Sequence, residues 1–424
     1  MTTADAHRAI LAVWRFEQPR LITSLARMLR DVPLAEELTQ EALLDALERW
    51  PLSGVPERPG AWLMATAKNR AWDHLRRARM LQRKHEMIAL DLEEEQLTLP
   101  DLDAALDDDI GDELLRLIFT ACHPRLSPEA RAALALRMIC GLTTEEVARA
   151  FLLPESTVAQ RIVRAKRTLS DSGLSYETPR GEDLCTRLPC VLKVVYLIFN
   201  EGYTASSGEH WLRPRLCEEA LRLGRVLISI MPREPEVHAL LALMELNASR
   251  SAARTDAAGN PILLLEQDRA RWDQSQIRRG LQALARTREL GGAHGIYALQ
   301  ATIIACHADA PTARDTNWPR IAVLYAQLAA IAPSPIVELN RAVAVGMAEG
   351  PESALLIVDE LVQNPLLRSY HLLPSVRGDL LYRLGRFREA RLEFMAAAAL
   401  AGSTPEKNLL LGRASQAEVA GTDS

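Results

Sequence analysis

Residues 155–167, ESTVAQRIVRAKR, place Glu155, Ser156, Thr157, Gln160, Arg161 and Arg164 on one outward side of a helix, with Lys166 and Arg167 following. Gln can pair with adenine and Arg with guanine, while Arg or Lys can grip phosphate. A second group lies in PGAWLMATAKNRAWDHLRR, residues 59–77, where Asn69, Arg70, Asp73, Arg76 and Arg77 accompany Trp62 and Trp72. Cations beside aromatic and polar side chains can hold unpaired bases and their backbone. Taken singly, each tryptophan reads as core. A third group is the polar face of residues 34–50: Glu36, Glu37, Gln40, Glu41 and Asp45. Two further clusters carry carboxylates: Asn200, Glu201, Tyr203, Glu209 and His210, then Glu266, Asp268, Arg269, Arg271, Trp272 and Asp273. Carboxylates near a His could serve acid–base or metal chemistry. No nucleophile motif, phosphate loop or HExxH accompanies them, so helix capping, ion pairs and a binding groove are the favoured reading.

The elements that would position these groups are helical. Leu34, Leu38, Ala42, Ala46 and Trp50 recur every four residues. Thr143 followed by Glu146 fits a capping box opening a short helix, TTEEVARAF, with Val147, Ala148 and Phe151 on one face. A turn is expected at Leu152-Leu153, with Pro154 in the first position of the next helix. Val158, Ile162, Ala165 and Leu169 then point inward. This spacing predicts a helix-turn-helix, whose second helix enters a major groove. SPEARAALALRMIC supplies its supporting helix. No segment alternates apolar and polar residues, so the fold class is all-α.

The 424 residues carry a net charge of −5, which argues against nucleic-acid binding through bulk charge. The charge is unevenly spread. Residues 90–113, LDLEEEQLTLPDLDAALDDDIGDE, hold 11 acidic and no basic side chains, so this stretch reads as an acidic linker. Residues 1–89 carry a net +3 and residues 114–170 a net +5. The acidity therefore belongs to a tether between two basic modules. No apolar run reaches membrane-spanning length, and the start lacks signal-peptide character. The six cysteines form no CxxC pair. A cytoplasmic location is expected, with no membrane partner, no metal and no cofactor.

LAEELTQEALLDALERWP, NRAWDHLRR, the acidic linker and LTTEEVARAFLLPESTVAQRIVRAKRTL, taken in order, resemble a bacterial RNA polymerase sigma factor of the sigma-70 family, extracytoplasmic-function group. The resemblance spans about residues 8–170. It implies core RNA polymerase, through its β′ and β subunits, and promoter DNA as partners. By position it puts Glu36, Glu37, Gln40 and Glu41 on the polymerase face. It puts Asn69, Arg70, Asp73, Arg76 and Arg77 near the −10 strand. Glu155, Ser156, Thr157, Gln160, Arg161 and Arg164 would face −35 DNA. The chain departs from the family pattern at Leu152, Pro154 and Ala159, where Gly, Ser and Lys are usual. These departures bear on turn geometry and base preference, and the lost Lys predicts weaker phosphate anchoring.

Beyond residue 180 the patterning stays helical. Leu381, Leu384, Gly385, Phe387, Ala390, Phe394, Ala398 and Pro405 fit a tetratricopeptide register, and Asn340, Ala342, Ala344, Gly350, Ala354 and Leu361 fit an earlier unit. This resembles the sigma-factor subgroup with a tetratricopeptide extension, and a protein or peptide partner is expected at the repeats. The expected domains are 1–89, a 90–113 linker, 114–172, a helical extension 180–332 and repeats 333–415. The expected function is promoter-specific initiation with a regulatory extension, and not an enzyme. The alternatives are a helix-turn-helix regulator with a repeat-type sensor domain that never enters holoenzyme, and an enzyme within residues 185–330.

Overall fold

The computed structural model describes residues 3–88, 113–139, 142–151, 153–171, 179, 181–204, 213–257 and 259–422. Residues 90–112 of the expected linker, together with Leu152, Glu209 and His210, lie outside the described residues. Eighteen α-helices and no strand occur among the described residues, as the all-α reading requires. The chain divides into two compact units: residues 1–148 with 154–194, and residues 149–153 with 195–424.

The first unit opens with α1 (Thr3–Leu29), α2 (Val32–Ser53) and α3 (Pro59–Ile88), which pack on one another in all three pairs. Asp31 starts α2 by accepting a 3.0 Å hydrogen bond from the Leu34 amide. Leu21, Ile22 and Leu25 of α1, Ala35, Leu38, Ala42, Ala46 and Trp50 of α2, and Leu63, Ala67 and Ala71 of α3 are all buried. Four of the five residues of the stripe seen in the sequence, Leu38, Ala42, Ala46 and Trp50, thus lie on α2's buried face, and Leu34 at its start is half-buried. Trp62 meets Trp50 edge-on at 5.4 Å. Trp72 is 55% exposed, which corrects its assignment to the core. Buried Ala71 beside it shows where the inward face of α3 turns away from that ring.

Then come α4 (Glu113–Ala121), α5 (Pro128–Ile139), α6 (Thr144–Phe151) and α7 (Glu155–Asp171). The capping box forms. The Thr143 amide donates to Glu146 Oε2 at 2.8 Å, and the Glu146 amide to Thr143 Oγ1 at 3.1 Å. Val158, Ile162, Ala165 and Leu169 are buried, and α7 packs on α5. The second helix begins one residue later than expected. Pro154 precedes it, and its carbonyl accepts from the Thr157 amide at 3.1 Å. The start of α8 (Glu182–Tyr203) belongs to this unit, and Arg187 donates to the Phe119 carbonyl at 3.3 Å.

The second unit takes the end of α8, then α9 (Pro214–Ile230), α10 (Pro235–Ala248), α11 (Gln274–Glu289) and α12 (Ile296–Ala308). It continues through α13 (Trp318–Ile331), α14 (Pro335–Ala348), α15 (Pro351–Leu361), α16 (Leu372–Arg383), α17 (Phe387–Leu400) and α18 (Thr404–Thr422). From α9 onward most helices pack chiefly on their sequence neighbours, whereas α12 packs chiefly on α10. Ala342, Ala354, Leu381, Ala390, Phe394 and Ala398 share one core, which runs on to Leu410, Ala414 and Ala417 of α18. Gly350 (φ 115°) and Gly385 (φ 74°) make the turns before α15 and α17 in backbone regions that side chains avoid.

Candidate nucleic-acid interface

Burial of the α7 stripe leaves its other side outward. Glu155, Ser156, Gln160 and Arg164 are exposed, and Thr157 and Arg161 are half-buried. All six residues named from the sequence therefore lie on one helix, and none of them is buried. Glu155 stands in the first turn, where a carboxylate suits the helix dipole.

On α3, Asn69, Asp73, Arg76 and Arg77 are exposed, with Lys68 and Trp72 beside them. Arg70 behaves differently. Its Nε and Nη2 donate to Asp45 Oδ2 at 2.9 and 2.8 Å, and its Nη1 donates to Glu41 Oε2 at 2.6 Å. The Asp45 hydrogen bond is the main cause that raises the Arg70 pKa, so the cation is held more firmly still. This fork ties α3 to α2, and it joins a residue expected at DNA to one expected at polymerase. The sequence carried a signal for it. Glu41 and Asp45 are four apart on one helix face, which suits a bidentate guanidinium.

Glu37 and Gln40 are exposed on α2, whereas Glu36 is buried. Glu36 Oε1 accepts from Lys166 Nζ of α7 at 2.8 Å and from Gln40 Nε2 at 3.1 Å. Its Oε2 is buried without a partner among the described residues. Helices α2 and α7 pack together within the first unit, so this pair is part of a wider contact. Sequence reasoning did not find it, because the partners are 130 residues apart.

Residues 14–80 match the family model "Sigma-70 region 2", and residues 116–169 match "Sigma-70, region 4". The chain thus carries both of these sigma-70 regions, in order. It is similar to "Probable ECF RNA polymerase sigma factor SigI" of Mycobacterium tuberculosis, at 27% identity over 40% of this chain and 57% of that protein. It is also similar to "ECF RNA polymerase sigma factor BldN" of Streptomyces coelicolor, at 29% identity over 32% of this chain and 49% of that protein. "Uncharacterized protein R00370" of Rhizobium meliloti is 41% identical over 92% of this chain and 91% of its own length. Residues 187–288 match a "Family of unknown function (DUF6596)". The sigma-70 regions span α2, most of α3 and the α6–α7 helix-turn-helix, and together with these relatives they support an ECF-type sigma factor for transcription initiation.

Of the carboxylates noted in the second unit, Glu201, Asp268 and Asp273 bind neighbouring groups of the fold. Glu201 is buried and paired with Arg213 at 2.7 Å. Asp268 accepts from the Ala270 amide at 3.0 Å, and Asp273 caps α11 through the Ser275 and Gln276 amides. Glu266 and Arg271 are exposed. Among the described residues no group of three or more His, Cys, Asp or Glu could hold a metal ion, and no helix is long and apolar enough to cross a membrane.

Proposed function

We propose that this chain binds core RNA polymerase through α2 and directs it to promoters by reading −35 DNA with α7. In this reading α3 holds the melted −10 strand. Asn69, Asp73, Arg76 and Arg77 meet DNA there, with Trp72 as an added stacking platform. Arg70 braces α3 against α2. The observation that carries the reading is the outward row from Glu155 to Arg164 on a helix whose opposite stripe is fully packed. The proposed domains are residues 1–89 and 114–172, joined by the acidic segment, and the work takes place in the cytoplasm where promoter DNA lies. Glu36 is covered by Lys166 in the free chain, so engagement of the α2 face requires α7 to leave it.

The second unit is proposed to be a helical extension over 180–332 followed by tetratricopeptide-like repeats over 333–415, which regulate the sigma domains through a protein or peptide. Support comes from the neighbour-on-neighbour packing and from the shared core of the register residues Ala342, Ala354, Leu381, Ala390, Phe394 and Ala398.

The test is transcription reconstituted from the full chain, active core polymerase and fragmented genomic DNA. Start sites that share −10 and −35 sequences are expected. No specific initiation from any fragment would overturn the reading.

A further inference from the structure

Two segments singled out in the sequence, around Tyr203 and around Arg269–Trp272, meet inside the second unit. Arg250 stands between them. Its guanidinium lies 5.8 Å from the ring centre of Tyr203 and 5.8 Å from that of Trp272. Arg254 lies 3.6 Å from the centre of the Tyr203 ring, and Arg269 lies 5.0 Å from that of Trp272. Three guanidinium groups thus alternate with two aromatic rings in one row.

The row is dry. Arg250 is 8% exposed and Arg254 is 7% exposed. Burial pulls the Arg254 pKa down to about 10, still well above neutrality. Desolvation also lowers that of Arg269. His307 alongside is driven to about 3 by burial, then by Arg250 and Arg269, so its ring is neutral.

The hydrogen bonds of Arg250 and Arg269 go to neutral oxygens. Arg250 donates to Asn247 Oδ1 at 2.9 Å. Arg254 donates to the Tyr203 carbonyl and to Thr204 Oγ1. Arg269 donates to the His307 and Ala310 carbonyls and to Thr316 Oγ1. Asp315 and Glu406 are the carboxylates whose fields reach Arg269 and Arg254. Asp315 is hydrogen-bonded to Thr312 instead.

Several polar atoms in the same place are buried without partners among the described residues. They are Arg250 Nε, Arg269 Nε, Trp272 Nε1, the Tyr203 hydroxyl, His307 Nδ1 and Gln267 Oε1. Most are donors. Cation–π contact offsets part of the cost of burying like charges, but it satisfies none of these N–H groups. Clustered buried cations with spare donors are chemically matched to an acceptor-rich anion.

We propose that the Arg250–Arg254–Arg269 cluster is a binding site for a small oxyanion, a carboxylate or a phosphate, built into the C-terminal unit. The Nε–H groups of Arg250 and Arg269, with the Trp272 indole N–H, supply the hydrogen bonds. The site joins the ends of α8, α10 and α12, so an occupant would fasten three elements. The proposal does not depend on how the sigma domains engage polymerase or DNA.

Calorimetric titration of the full chain with inorganic phosphate, and separately with succinate, tests it against sodium chloride at matched pH and ionic strength. Saturable heat with at least one of the two anions is expected, and which one binds identifies the ligand class. Arg250→Gln is expected to weaken that binding about 10- to 100-fold, the effect of losing a charged hydrogen-bond donor. Arg250→Lys keeps the charge without the fork and should fall between. Circular dichroism before each titration confirms that the variants are folded. Flat titrations of the unmodified chain with both anions would leave a structural cation–aromatic stack only and overturn the proposal. Binding undiminished in folded Arg250→Gln would overturn it as well.

Discussion

Lys166→Ala should loosen α7 from α2. The Glu36 side chain is 3% exposed and that of Lys166 is 31% exposed. Without the ammonium, the carboxylate keeps the 3.1 Å bond from Gln40, and its second oxygen is already without a partner. Breaking a fully buried pair from one side costs about 3–5 kcal/mol, and an exposed pair contributes at most about 1 kcal/mol. One partner here is buried and the other is a third exposed, so the cost lies between, at about 2 kcal/mol. That shifts the balance between α7 docked and α7 released about 30-fold toward release. The assay is single-molecule fluorescence transfer in the free chain. Dyes at Leu44→Cys on α2 and Val163→Cys on α7, both exposed, are placed in a background stripped of its native cysteines. A growing low-transfer population is expected in Lys166→Ala. A distribution identical to that of the parent would refute the argument that this pair holds the contact. Because no polymerase is present, the result stands apart from the proposed function.

Other consequences can be checked directly. Arg161→Ala is expected to cost about 1–3 kcal/mol at a −35 sequence if it reads a base, measured by binding to the site and to base-substituted sites; an equal loss on every sequence would assign it to phosphate. Thr143→Ala removes one side of the capping box and should lower unfolding free energy by about 1 kcal/mol in urea titration. The Cys190 thiol is drawn below its ordinary pKa by a hydrogen bond from Cys122 and by nearby Arg131, whereas burial lifts Cys122 well above its own. Iodoacetamide should therefore label Cys190 before Cys122, as read by peptide mass spectrometry.

The sequence revealed what local periodicity controls. Val158, Ile162, Ala165 and Leu169 form the packed side of α7 because a four-residue stripe has only one way to reach a core. Thr143 and Glu146 cap their helix because both groups are within one turn. Long-range choices were not legible. Whether Trp72 packs depends on which neighbour covers that sector of α3, and its sector is open. Glu36 looks like its exposed neighbours Glu37 and Gln40 until α7 is brought against it. The Arg250 row draws on three separated segments, and only Tyr203 and Arg269–Trp272 of it stood out in the sequence. Residues 90–112, the clearest charge signal, lie outside the described residues.

The pair between Glu36 and Lys166 spans 130 residues of chain, whereas the helices after α9 mostly touch the next one made. A ribosome adds about 5–20 residues per second, so the α2 surface is synthesised on the order of ten seconds before its cover. The nascent chain therefore displays an open α2 face while α7 does not yet exist. Every later helix of the C-terminal stack, by contrast, finds a finished neighbour as it emerges. The order of synthesis itself creates a brief uncovered form of this sigma factor, which the completed chain then closes.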